Sequence, residues 1–210
     1  MLSFLKKLFK KDKNNNIKEN IDNLIEDEKN KLLSIEEKLK LVDFSIYDDP
    51  KISNIKEEPV LLILDDVPDS EILYNIDFKN MERKYNFNPY KEMKVVKCLG
   101  ATAGFKAFKY INKPENKIDY AVLDITLGFS IKLKTGDVLE LDGVDIAIEI
   151  LKRNPKAKII FCTAHTMNSR NPIMKYYIDK YYDYTGKDIS KCAVYKNSNR
   201  MEELYKQFKD

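Results

Sequence analysis

Four short runs of consecutive apolar residues, rich in β-branched side chains, mark the later two thirds of the chain: VLLIL at 60–64, AVL within IDYAVLD at 118–124, AKIIFC at 157–162 and CAVY at 192–195. Runs this short and continuous suit strands buried on both faces of a parallel sheet. MKVVKCL at 93–99 predicts a fifth strand, whose lower apolar content places it toward an edge. Between the strands the period changes. Gly104, Ala107, Phe108 and Ile111 recur at i, i+3, i+4 and i+7, as do Val144, Ala147, Ile148 and Leu151, and again Met201, Leu204, Tyr205 and Phe208. That spacing predicts amphipathic helices, with starts at Asp142-Gly143 and at Asn199 with Glu202 three residues on. Strand and helix alternate five times, which predicts an α/β fold with an open parallel sheet covered by helices on both faces.

Two segments interrupt this rhythm. After Asp124, ITLGFSIKLKTGDVLELDG alternates around Thr135-Gly136-Asp137 and predicts a hairpin inserted at about residues 128–141. MNSRNPIMKYYIDKYYDYTGKD predicts a helix opened by Pro172 and closed by Gly186. It carries Tyr176, Tyr177, Tyr181, Tyr182 and Tyr184, enough aromatic surface for packing on one side and partner contact on the other.

The first 58 residues follow other rules. In MLSFLKKLFKK, Met1, Leu2, Phe4, Leu5, Leu8 and Phe9 share one arc of a helical wheel and lysines fill the other, the pattern of an interfacial amphipathic helix. Peripheral membrane contact through residues 1–12, docking on a partner or on the chain's own domain, and a frayed tail are the options this leaves. KDKNNN is a polar break that closes a segment at residue 16. From Ile21, apolar residues continue through Ile25, Leu32, Ile35, Leu39 and Val42 with 4-3 spacing, interrupted by Glu28, and Ser34 with Glu37 forms a capping box. A helical hairpin and a homodimer seam both satisfy this pattern. Residues 43–58 read as an acidic, proline-containing linker, so that residues 17–58 form a helical extension and linker and 59–210 the main domain.

Composition narrows the function. The 210 residues carry 37 Lys and Arg against 34 Asp and Glu, a formal charge of +3, too balanced for wholesale nucleic-acid binding. Cys98, Cys162 and Cys192 lack paired spacing and lie in or beside strand-like runs, as reduced core thiols do. No run approaches the roughly 18 apolar residues of a spanning helix. A cytoplasmic protein, peripheral at the inner membrane face if residues 1–12 insert, is the expectation. His165, the only histidine, reads as a surface loop residue.

In a parallel α/β sheet the carboxyl ends of the strands share one crevice. Here those ends supply Asp65 and Asp66, then Asp124, then Thr163 with Ala164, then Lys196. Gathered carboxylates repel unless a cation intervenes, and a hard ion with oxygen ligands such as Mg²⁺ suits them.

These residues occur in LDDVPDSEIL, YAVLDITLG, LDGVDIAIEILKRNPKAKIIFCTAH and AVYKNS, a series that resembles the receiver domain of two-component response regulators over roughly residues 59–210. The resemblance implies a doubly wound, flavodoxin-like sheet of five parallel strands in the order 2-1-3-4-5. It implies that Asp124 is the phosphoacceptor, that Asp65, Asp66, Asp124 and the backbone carbonyl of Thr126 hold Mg²⁺, and that Thr163 and Lys196 bind the phosphoryl oxygens. A histidine kinase or phosphotransfer protein would be the donor, and a downstream protein would read the last two helices and strand. No DNA-binding module is expected after the last helix. The chain departs from the family at Asn197, where a proline usually follows the lysine, and at Ala193, where an aromatic residue is common. A degenerate receiver acting by contact alone therefore stays open. A phosphatase of the haloacid dehalogenase type is a weaker match, because its nucleophile needs an aspartate two residues on. Val67 follows Asp65 at that distance, and Thr126 follows Asp124. At most slow autodephosphorylation is expected, not turnover.

Overall fold

The computed structural model describes residues 34–53, 59–165 and 167–209. The segment 1–12, the 4-3 pattern up to Leu32 and the end of the expected linker lie outside them. The described residues fall into two compact units, one of residues 34–42 with 132–139 and one of the rest.

In the smaller unit, α1 (Ile35–Lys40) begins at the expected capping box. Ser34 Oγ accepts from Glu37 N, and Glu37 Oε2 accepts from Ser34 N at 2.8 Å. Lys38 Nζ donates to the Val138 carbonyl at 3.1 Å, and Leu39, Leu133 and Leu139 are buried. The inserted hairpin pairs β5 (Ser130–Lys132) with β6 (Val138–Glu140), turning through Gly136.

The larger unit is a six-stranded sheet. Its strands are β1 (Lys51–Ser53), β2 (Val60–Asp65), β3 (Lys94–Leu99), β4 (Tyr120–Leu123), β7 (Lys158–Thr163) and β8 (Ala193–Tyr195), in the order β1-β3-β2-β4-β7-β8. The last five are parallel in the expected 2-1-3-4-5 order, and β1 adds an antiparallel edge beside β3. The helices are α2 (Ser70–Tyr85), the short α3 (Pro89–Glu92), α4 (Ala103–Ile111), α5 (Gly143–Arg153), α6 (Pro172–Thr185) and α7 (Arg200–Lys209).

Strand register divides the core into two layers. Leu61 pairs with Val95, Ile63 with Val122, Val122 with Ile160 and Cys162 with Val194. These side chains share one face and pack with Tyr74, Phe78 and Met81 of α2 and Leu204 and Phe208 of α7. Leu62 pairs with Val96 and Ala121, Leu64 with Cys98 and Leu123, and Leu123 with Phe161, which directs these residues to the opposite face. There α4 lies beside β2 and β3, α5 beside β4, and Tyr181 of α6 sets its ring edge-on to Phe161 at 5.3 Å. Burial on both faces is what continuous apolar strands require. Cys98, Cys162 and Cys192 are all free thiols, and burial pushes the Cys162 thiol up to about 11.

The stretch read as linker, residues 43–58, is not all connector. Phe44–Ile46 forms a 3₁₀ turn started by Asp43, whose carboxylate accepts from Ser45 N, and β1 follows. Phe44 stacks on Phe108 at 5.3 Å, Tyr47 stacks on Phe105 at 5.0 Å, and Lys109 Nζ donates to the Tyr47 carbonyl at 2.7 Å. Two aromatic rings thus dock the segment on α4, and β3 becomes an interior strand. Tyr47→Ala is expected to destabilise the domain by about 3 kcal/mol, as for other large buried aromatics, measured by urea unfolding. An unchanged midpoint would make the segment a passive connector.

Candidate functional site

The carboxyl ends of the strands converge as the backbone ladder predicts. Asp124 N donates to the Leu64 carbonyl at 2.8 Å and Lys196 N to the Thr163 carbonyl at 2.8 Å, so each residue that leaves a strand is still held by its neighbour. Asp65, Asp66 and Asp124 each present a carboxylate oxygen within 4.8 Å of the others. Lys196 Nζ reaches over them, 2.6 Å from Asp124 Oδ2 and 2.9 Å from Asp65 Oδ2. Asp65 is 1% exposed, Asp124 6% and Thr163 fully buried.

The remaining contacts fix orientation. Asp65 Oδ1 accepts from Val67 N at 3.0 Å, and Asp66 Oδ2 accepts from Gly128 N at 3.2 Å, which ties the loop after Asp124 to the first acidic pair. Thr163 Oγ1 accepts from His165 N at 3.1 Å in a tight side-chain turn, while Ala164 and His165 themselves are exposed. Thr126 lies half-buried two residues past Asp124. Sequence reasoning reached Asp65, Asp66, Asp124, Thr163 and Lys196 through their strand-end positions. It did not reach Gly128, whose backbone donor has no side-chain signature.

It also reached Gly143 only as a helix start. Gly143 N donates to the Ile125 carbonyl at 2.9 Å, and a Cβ at this position would stand 1.9 Å from the Asp124 carbonyl oxygen. No side chain fits there, so α5 begins directly against the backbone that carries Asp124.

Charge balance at the site is unequal. Burial raises the pKa of Asp124; Lys196 opposes this and Asp65 and Asp66 add to it, leaving the carboxyl above its usual range. For Lys196, burial acts to lower the pKa, but the Asp124 charge and hydrogen bonds to Asp124 and Asp65 outweigh it and the net shift is upward. The ammonium is therefore held charged between two carboxylates. Three hard oxygen donors within 4.8 Å fit a Mg²⁺-sized ion that keeps several waters.

No family model matches the chain, and no curated protein matches it. Solved structures that it resembles include response regulator receiver domains. The CheY-like response regulator receiver domain protein from Methanospirillum hungatei is 19% identical, over 70% of this chain and 88% of that one, with a TM-score of 0.41. The CheX-CheY-BeF3-Mg+2 complex from Borrelia burgdorferi is 18% identical, over 72% and 90%, with a TM-score of 0.42. Such identities and scores leave the functional argument to the residues themselves.

Two outcomes follow from the geometry. The folded pKa of Asp124 lies above its unfolded value, so its ionisation opposes folding, and this contribution to stability falls as pH rises from the unfolded through the folded value. Asp124→Asn is accordingly expected to unfold at higher urea than the parent at neutral pH without metal, with the gap closing below the unfolded value. A variant that is less stable at neutral pH would contradict this. Gly143→Ala is expected to cost about 3 kcal/mol or more through the forced shift of the α5 start, read in the same titration.

Proposed function

We propose that this chain is a phosphoacceptor receiver of a two-component relay, with Asp124 as the carboxylate that accepts the phosphoryl group. The observation that carries this reading is the Lys196 ammonium 2.6 Å from Asp124 Oδ2, beside two further carboxylates at the same strand ends. In the reaction an Asp124 oxygen forms a bond to phosphorus as the donor's P–N bond breaks, and the departing imidazole keeps the electron pair. A histidine kinase or phosphotransfer protein is the donor.

Each residue of the site has a part in this scheme. Asp65 and Asp66, with Asp124 and the Thr126 carbonyl, would hold Mg²⁺. That ion, when bound, screens the carboxylates and draws charge from the phosphoryl oxygens. Lys196 meets the negative charge that the phosphoryl group brings, which means leaving Asp65 for the new oxygens. Thr163, whose Oγ1 accepts from His165 N, keeps its own hydroxyl proton to donate to the same group. The product carries more charge and more acceptors than the carboxylate it replaces, so the surrounding loops rearrange and a downstream protein reads the change through α6, β8 and α7. The protein acts as a cytoplasmic switch and not as a turnover enzyme.

A second reading keeps the fold without the chemistry. Lys196 and the Gly128 N–H already engage all three carboxylates, as a phosphorylation-independent interaction module would require. Incubation of the full chain with acetyl phosphate and Mg²⁺, followed by intact mass, separates the two. The parent is expected to gain one phosphoryl group, Asp124→Asn none, and omission of Mg²⁺ to reduce labelling at least about tenfold. A parent chain that binds Mg²⁺ yet stays unlabelled would favour the interaction module, and release of phosphate over many turnovers would favour a phosphatase.

A further inference from the structure

A second buried charge cluster lies behind the site. Asp142 and Asp145 each use one oxygen to close the capping box of α5: Asp142 Oδ1 accepts from Asp145 N at 2.8 Å, and Asp145 Oδ2 accepts from Asp142 N at 3.2 Å. Their other oxygens, Asp142 Oδ2 and Asp145 Oδ1, each lie 2.7 Å from Lys180 Nζ of α6. The three side chains are 10–15% exposed. Two carboxylates so placed repel each other, and burial followed by the charge of Asp142 pushes Asp145 up to about 6 even with the ammonium present. Removing one partner of a buried ionic group leaves charge uncompensated, so this contact is hard to break without consequence.

Both ends of the cluster lead somewhere. On one side α5 starts against Asp124, through the Gly143 N–H to the Ile125 carbonyl and the contact that excludes a Cβ. On the other, Lys180 stands 5.2 Å from the Tyr176 ring centroid, on a helix whose Met174 and Tyr181 are buried while Ile173, Tyr176, Tyr182 and Tyr184 face solvent. Among its other described contacts, Tyr181 of α6 sets its ring edge-on to Phe161 and hydrogen-bonds Cys192, both neutral contacts and weaker than two charged hydrogen bonds.

We propose that Lys180 is a positioning residue that ties α6 to the start of α5, and thereby to the backbone carrying Asp124, so that the Asp124 loop and the exposed tyrosine face of α6 shift as one body. The purpose of this tie rests on the phosphoacceptor reading; its existence as a coupling element does not. A change at Asp124 that displaces residues 124–125 moves the α5 start, and the two carboxylates there carry Lys180 and its helix with them.

Three variants of the full chain test it. Lys180→Met keeps the stem and removes the charge, and Lys180→Arg keeps the charge. Lys180→Met combined with Asp145→Asn also removes one of the two stranded carboxylates, the more buried of the pair, while the amide oxygen at 145 still accepts from Asp142 N. Amide hydrogen exchange in the metal-free protein is followed over residues 124–128 and 172–185, with α2 and α7 as internal references. Both segments are expected to exchange about tenfold faster or more in the Met-containing variants with the references unchanged, and Lys180→Arg is expected to restore most of the protection. Acceleration confined to 172–185 overturns the proposal, as does equal acceleration of the reference helices in the double variant, which marks lost stability and not coupling. Acetyl phosphate labelling of the parent is scored separately. Its absence sinks the phosphoacceptor reading and leaves the exchange result standing.

Discussion

The ammonium of Lys196, set between Asp124 and Asp65, is the interaction on which this end of the sheet depends. Two nearly buried carboxylates and a third close by cannot share a dry crevice unless positive charge is supplied. Lys196 supplies it from the end of β8, two strands beyond β4, and the backbone bond from its own N–H to the Thr163 carbonyl holds it there. Even so, burial leaves Asp124 above its usual pKa, with the charges of Asp65 and Asp66 adding to the shift.

Rigid backbone surrounds this adjustable centre. Gly143 presses α5 against the Asp124 carbonyl, Gly128 N ties the following loop to Asp66, and Val67 N orients Asp65. The first of these contacts is backbone against backbone, and in the other two a backbone N–H holds a carboxylate oxygen. The Lys196 ammonium, in contrast, divides its contacts between two carboxylates, Asp124 and Asp65. The result is a backbone cradle around shared charge. The second triad of Asp142, Asp145 and Lys180 extends that cradle from α5 to α6.

The aromatic dock of Phe44 and Tyr47 on α4 shows a different use of burial. Charge dominates residues 43–58 by count, yet two rings decide where the chain lies, because stacking removes far more apolar surface than the flanking carboxylates can hold in water. Once Tyr47 is seated, β1 pairs with β3 and covers what would have been the open edge of the parallel sheet.

Much of the architecture could be read directly along the chain. Parallel strands buried on both faces must be uninterrupted apolar runs, and helices between them must show a 3.6-residue period, so β2, β4, β7 and β8 and the helices α4, α5 and α7 declared themselves. Pro172 and Gly186 bounded α6 for equally local reasons, a fixed φ at the first turn and a left-handed C-cap. Asp65, Asp66, Asp124, Thr163 and Lys196 were visible as candidates because each ends or follows its strand. What no local pattern encodes is distance between segments. A three-residue edge strand has too few residues to show alternation, a glycine excluded by a carbonyl 19 residues earlier looks like any helix start, and Lys180 looks like a solvated lysine among tyrosines. These features exist only when strand order and helix packing bring the segments together, since ionic and steric contacts fall off over a few ångströms that sequence separation does not measure.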